Sequence, residues 1–260
     1  MDVLVMCGGE GSRLESPVEK PLFEIGGVTM IDRVLEALRE SQVETVVAAV
    51  SPNAPDTRAH LLENESPAGL EVEVLETRGE GYVADLQSIL ESPSNSLSTP
   101  VLTVAADLPL LEGAVIDTVL ERYRRRTRTE TTADGEANRS LTVCVPVAMK
   151  RRLGFGVGTT LPERPHLAPT GVNIVGESTQ PMTEMITDWR LASNVNRRSE
   201  ARAAATLLAR FEGGPTGTDR TLEDGSSTRR SLGDGTDSER VLGDESTTET
   251  TPTSEGDRCE

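Results

Sequence analysis

Apolar residues in the first two-thirds of the chain follow two alternating rhythms. Unbroken runs rich in β-branched residues occupy 3–7, 45–50, 72–75 and 101–105 and predict strands. Helical spacing fills the intervals at 31–40, 56–63 and 82–91, with a fourth helix at 114–125 after the last of these strands. In the first of them Ile31, Val34, Leu35 and Leu38 fall at i, i+3, i+4 and i+7, one stripe of an amphipathic helix. Apart from Glu73 in the third, the strand runs carry no charged residue, as expected of strands buried on both faces. Strand and helix in turn predict a Rossmann-like, doubly wound α/β fold, mainly a parallel sheet with helices on both faces. Further strands are expected at 141–147 and 171–175, a polar surface loop at 124–140 and a last helix at 195–212. That defines one domain over 1–212.

Beyond residue 212 both rhythms stop. The 213–260 stretch holds 12 acidic and 5 basic residues and little apolar surface. Three degenerate echoes place one leucine each (Leu222, Leu232, Leu242) at ten-residue spacing. So few apolar groups do not offset the entropy of ordering, and an acidic, disordered tail is the expectation.

Charge narrows the partners. A net charge of -17 over 260 residues disfavours nucleic acid and anionic membrane as partners. No apolar run approaches the roughly 18 residues of a membrane span, and no leader pattern opens the chain, so a soluble cytoplasmic protein is expected. The composition resembles that of proteins from halophilic archaea, with 2% aromatic residues and only two lysines, Lys20 and Lys150, among 26 basic residues. Cys7, Cys144 and Cys259 are too scattered for a disulfide framework or a zinc site. His60 and His166 have no partner at a telling spacing and read as non-catalytic.

Chemistry concentrates at strand ends. The first strand empties into Gly8-Gly9-Glu10-Gly11-Ser12-Arg13, followed by Glu19-Lys20-Pro21. Neither the P-loop spacing nor the third glycine of a dinucleotide fingerprint is present. Successive glycine N–H groups can form an anion nest, Arg13 can grip two phosphate oxygens, and Lys20 supplies a point charge. The plain alternative is a glycine-rich turn with a surface arginine and lysine. Asp107 closes the fourth strand, where α/β sheets bind ligands; it suits Mg²⁺ or phosphate chemistry, or else caps the following helix.

The pattern GGxGSR(L)…EKP resembles the signature of nucleotidyltransferases that make sugar nucleotides and cofactor nucleotides. Two further segments, Ser51-Pro52-Asn53-Ala54-Pro55-Asp56-Thr57 and Gly79-Glu80-Gly81-Tyr82-Val83-Ala84-Asp85-Leu86, together with Pro169-Thr170-Gly171-Val172-Asn173-Ile174-Val175, are similar to archaeal adenosylcobinamide-phosphate guanylyltransferases. The resemblance covers 1–211 and leaves out the tail. It implies GTP and adenosylcobinamide phosphate as substrates, GMP transfer with release of pyrophosphate, and a place in cobalamin biosynthesis, with Mg²⁺ as cofactor. It also implies nucleotide contacts at Gly8, Gly9, Gly11, Ser12, Arg13, Lys20, Asn53, Gly79, Gly81, Tyr82 and Asp85. Catalysis falls to Arg13, Lys20 and Asp107, with Asp107 on the metal. Gly171 and Asn173 fall to the acceptor, although Asn173 reads equally as an ordinary strand residue. Tyr82 either stacks on a ring or packs as a buried aromatic at a helix start. Molybdenum-cofactor guanylyltransferase, a sugar-phosphate nucleotidyltransferase and a GTP-binding regulatory module are the rival readings. A homodimer stays open.

Overall fold

The first apolar run forms β1 (Val3–Met6), the buried centre of the molecule. The computed structural model describes residues 1–8, 11–63, 70–92, 97–129 and 138–212, all within one compact unit. The tail expectation lies outside them. After β1 the chain makes a small hairpin, β2 (Glu24–Ile25) and β3 (Val28–Thr29), turning on Gly26 and Gly27 at φ 65° and 79°. Two consecutive positive φ values make glycine the natural occupant of this two-residue turn. Thr29 then caps α1 (Met30–Arg39) by accepting from the Asp32 N–H. β4 (Val46–Val50), α2 (Pro55–Glu63), β5 (Val72–Glu76), α3 (Tyr82–Leu90), β6 (Val101–Ala105) and α4 (Gly113–Thr129) follow. The remaining elements are β7 (Arg139–Pro146), α5 (Val147–Leu153), β8 (Leu167–Val175), β9 (Ser178–Met185) and α6 (Arg198–Glu212).

The strands form one seven-stranded sheet in the order β5-β4-β1-β6-β8-β7-β9. β5, β4, β1 and β6 are parallel, β8 is antiparallel to both its neighbours, and β9 runs parallel to β7. Only β8 therefore opposes the rest. Val3 and Val5 pack with Ile31, Val34 and Leu38 of α1 and Ile116 and Leu120 of α4. Leu4 and Met6 join Leu86 and Ile89 of α3 on the other face. Burial of both faces explains why these strands read as unbroken apolar runs. A third cluster (Leu14, Ile25, Met30, Phe155, Val195 and Ala204) ties α6 to the hairpin and to the segment behind the glycine loop.

Several boundaries differ from the sequence expectation. α4 runs on to Thr129 where a loop was expected from 124, because Arg122 and Arg126 reach Glu184 of β9 at 2.8 and 3.2 Å. Ion pairs with a distant strand leave no periodic apolar signal. The strand expected at 141–147 starts at Arg139 and ends at Pro146, since Val147 opens α5. The strand expected at 171–175 begins at Leu167, and β9 was not foreseen. β8 reaches β9 by passing the start of β7 at Gly176, where a Cβ would collide with the Asn138 backbone. β9 forms one edge of the sheet and contains Pro181, beside a register irregularity against β7.

Candidate active site

Four parallel strands end on the same side, and the site is built on those ends. The Cys7 N–H donates to the Ala49 carbonyl at 2.8 Å, and burial pushes the Cys7 thiol up to about 12, so it is an inert wall. Gly9 and Glu10 lie outside the described residues. Gly11, at φ 58°, opens a 3-10 turn over Ser12–Leu14; a Cβ on Gly11 would lie 2.9 Å from the Lys20 Cβ. The glycine is therefore what lets the loop close onto the lysine. Arg13 is exposed and has no hydrogen-bond or ion-pair partner among the described residues.

Two hollows that share Met6, Gly8 and Tyr82 follow. One, about 490 Å³, is lined by Met6, Gly8, Ser51, Asn53, Gly79, Gly81, Tyr82 and Asp85. The other, about 180 Å³, is lined by Gly8, Lys20, Pro21, Tyr82, Ala105 and Asp107. The three motif segments thus converge, and Tyr82 stands between the hollows. It is half-exposed, not buried, and its hydroxyl lies 3.2 Å from Thr103 Oγ1. Gly79, at φ 73°, faces Ser51 and Pro52 closely enough that a Cβ would crowd both. Asp85 is buried and accepts the Glu80 N–H at 3.2 Å, which ties down the loop before α3. Asp56 and Thr57, in the first turn of α2, act as donors. Their N–H groups and the Thr57 hydroxyl donate to the Glu19 carboxylate at 2.9, 2.7 and 2.6 Å. A carboxylate at a helix start is favoured by the free N–H groups there, and Glu19 is adjacent to Lys20. His60, read as partnerless, has its Nε2 2.8 Å from Asp32 Oδ1, across helices that sequence spacing does not connect.

In the smaller hollow the charged groups form a chain. Lys20 Nζ donates to Asp107 Oδ2 and to Asn196 Oδ1, each at 2.7 Å. Asn194 Nδ2 donates to Asp107 Oδ1 at 3.1 Å and to the Thr170 carbonyl at 2.8 Å. Lys150 Nζ donates to Asn194 Oδ1 at 2.7 Å. Burial lowers the Lys150 pKa, while the Asp107 and Glu200 charges oppose that shift. Buried Glu200 accepts the N–H groups of Gly156, Asn196 and Arg197 at 2.9, 2.6 and 2.9 Å and so holds the turn carrying Asn194 and Asn196. Gly171, at φ 84°, lies where a Cβ would sit 3.0 Å from Ala105 Cβ and 3.2 Å from Asn194 Nδ2. Asn173 lies deeper along β8, in register with Thr103, and lines neither hollow. Sequence reading missed Lys150, Thr170, Asn194, Asn196 and Glu200. The one available signal was a second lysine in a chain that otherwise uses arginine.

A glycine loop, a roomy cleft and a cation–carboxylate pair at the ends of a parallel sheet define a nucleotidyltransferase. The chain belongs to the MobA-like NTP transferase domain family, whose model matches residues 3–213. It is 30% identical over 212 residues to the adenosylcobinamide-phosphate guanylyltransferase of Methanocaldococcus jannaschii, spanning 80% of this chain and 97% of that protein. The bifunctional protein GlmU of Streptomyces avermitilis is 34% identical over 146 residues, or 56% of this chain and 28% of GlmU. Among solved structures, a Bacillus anthracis protein assigned as a glucose-1-phosphate thymidylyltransferase superposes with TM-score 0.56 at 14% identity, over 80% of this chain and 94% of its own. A CMP:2-keto-3-deoxy-manno-octonic acid synthetase with CTP gives 0.53 at 14% identity, over 81% and 98%. These two show the shared fold. The resemblance read from the glycine loop and the two later segments is borne out.

Proposed function

We propose that the protein transfers GMP from GTP to adenosylcobinamide phosphate in the cytoplasm, a step of cobalamin biosynthesis. The observation that carries this is the Lys20–Asp107 pair in the smaller hollow, beside the larger one that shares Gly8 and Tyr82 with it, in a chain similar along its folded length to a guanylyltransferase. The larger hollow takes guanine and ribose. Asp85 and Asn53 there offer oxygen acceptors for the guanine N1–H and N2–H₂, which adenine does not match. The triphosphate lies toward Gly8, Gly11, Arg13 and Lys20.

The phosphate oxygen of the acceptor attacks the α-phosphorus of GTP, the bond to the bridging α–β oxygen breaks, and pyrophosphate leaves with the electron pair. A phosphate monoester has its second pKa at about 6, so the nucleophile is already anionic and needs no protein base. The protein's work is alignment and charge neutralisation. Arg13 and Lys20 face the charge that grows on pyrophosphate.

The residues present fit a divalent cation. Asp107 Oδ2 and Asn196 Oδ1 converge on the Lys20 ammonium at 2.7 Å each, two hard oxygens around one positive charge. No cluster of three His, Cys, Asp or Glu residues that could hold a metal occurs among the described residues. The pair of oxygens from Asp107 and Asn196 suits Mg²⁺, which takes one or two protein oxygens and completes its shell with phosphates and water. When bound it would neutralise phosphate charge, with Asp107 and Asn196 as its protein ligands.

The test is to incubate the chain with α-labelled GTP and adenosylcobinamide phosphate. Labelled adenosylcobinamide-GDP and one equivalent of pyrophosphate are expected. Product only with a molybdopterin or sugar-phosphate acceptor would transfer the assignment to that acceptor. GTP binding without pyrophosphate release under any acceptor would make the protein a GTP-binding module.

A further inference from the structure

Lys20 and Lys150 are the only lysines in the chain, and both are linked to one carboxylate: Lys20 directly, Lys150 through Asn194. Lys150, on α5, is 4% exposed and lines neither hollow. An ammonium in such a place gives up its hydration, and a methionine would fill the same space without that loss. Packing alone does not call for a lysine here.

What the ammonium does is visible at Asn194. Its oxygen accepts from Lys150, and its two amide hydrogens go to Asp107 and to the Thr170 carbonyl. Every polar atom of that amide is used, and Gly171 leaves the room for it by having no Cβ. Asp107 is held on one oxygen by Asn194 and on the other by Lys20. Lys20 is also the cation that must serve the departing pyrophosphate. Once it turns to the nucleotide, Asn194 is the side chain that still donates to the carboxylate, and Lys150 anchors Asn194.

We propose that Lys150 is a positioning residue for nucleotidyl transfer: acting through Asn194, it keeps the Asp107 carboxylate aimed into the cleft when the Lys20 charge moves to the nucleotide. The inference rests on the transfer reading above. It makes the second lysine part of the reaction although it touches neither substrate.

The experiment is a double-mutant cycle on the full chain, with kcat and the KM for GTP measured for Lys150→Met, Asn194→Ala and the pair together. Each single variant should lower kcat about 10–100-fold, the range found for partners of site ligands, at a GTP KM close to wild type. The double variant should fall no further than the worse single, since both cut one link. A Lys150→Met enzyme with wild-type kcat overturns the proposal. So do losses that multiply in the double variant, or a loss confined to KM. Should Lys150→Met fail to fold, Asn194→Ala decides alone, because it removes the link and leaves both charges; unchanged kcat there overturns the proposal. If the wild-type chain transfers GMP to no acceptor, it is the transfer reading that fails.

Discussion

Where β1, β4 and β5 end, the cleft is lined by three glycines, Gly8, Gly79 and Gly81, with Ser51 and Asn53 on a proline-flanked turn and Tyr82 and Asp85 on α3. Where β6 and β8 come together, charge sits in side chains: Asp107 lines the cleft, Asn194 and Lys150 back it in one hydrogen-bonded chain, and Lys20 reaches across from the loop behind β1. The first wall suits a flat base and a run of phosphates, which need close backbone approach. The second holds charge where charge shifts during reaction, and its members must be fixed before that happens. The two halves should therefore fail differently: changes to the charged wall cost turnover, and changes to the glycine wall cost recognition.

The largest effect expected is that of Lys20→Ala. Removing one donor to developing charge typically lowers kcat about 10²–10³-fold, with a lesser fall in melting temperature because the mostly buried Asp107 loses its cation. Retained turnover would break the division between the walls. Asp85→Asn addresses the opposite wall. Turning an acceptor into a part-donor should reduce the preference for GTP over ATP by about 10-fold or more, with kcat for GTP changed less. Competition between the two nucleotides reads this, and unaltered preference would remove Asp85 from base recognition.

Gly171→Ala compares the walls through a single methyl group. Its positive φ and its closeness to Ala105 and Asn194 should cost about 1–3 kcal/mol of stability, seen in urea unfolding, and should lower kcat with it. Gly81→Ala, at φ 105° with nothing within 4 Å of its Cβ, has only the backbone penalty and should lose less. Equal losses would mean that the fit around Asn194 does not matter. The smallest effect concerns Cys7 and Cys144, whose thiols burial pushes up to about 12 and about 11. A group raised in the folded state stays a thiol at neutral pH, so both should resist iodoacetamide until the chain is unfolded. Labelling of one before the other would show that one half opens alone.

The contrast also sets how far the sequence could be read. The glycine wall lies in contiguous stretches, 8–20, 51–57 and 79–85, directly behind β1, β4 and β5; burial on both faces made the first two strands conspicuous, and β5 is the half-buried edge. Gly9 belongs to the first of them and falls outside the described residues. The charged wall is dispersed: Lys150 and Asn194 are 44 positions apart, and Asn194 and Thr170 are 24 apart. Nothing in periodicity marks an asparagine that will bridge two charges. α5 was hidden because Val147 reads as the end of β7, and β9 because Ser178–Met185 mixes polar residues with a proline. The acceptor at the start of α2, Glu19, was equally hidden, since it lies 38 residues before Thr57.

The edges of the sheet bear on how crowded copies of this chain behave. At one edge β5 has Glu71 just before it and Glu73 and Glu76 within it, in a molecule already at net charge -17. At the other edge Pro181 and the register irregularity interrupt the regular ladder of β9. An open strand is a template for a second chain to pair with, and carboxylates, proline and irregular register each oppose that. A sheet of seven strands can thus remain seven strands at high protein concentration, with self-association left to surfaces other than its rims.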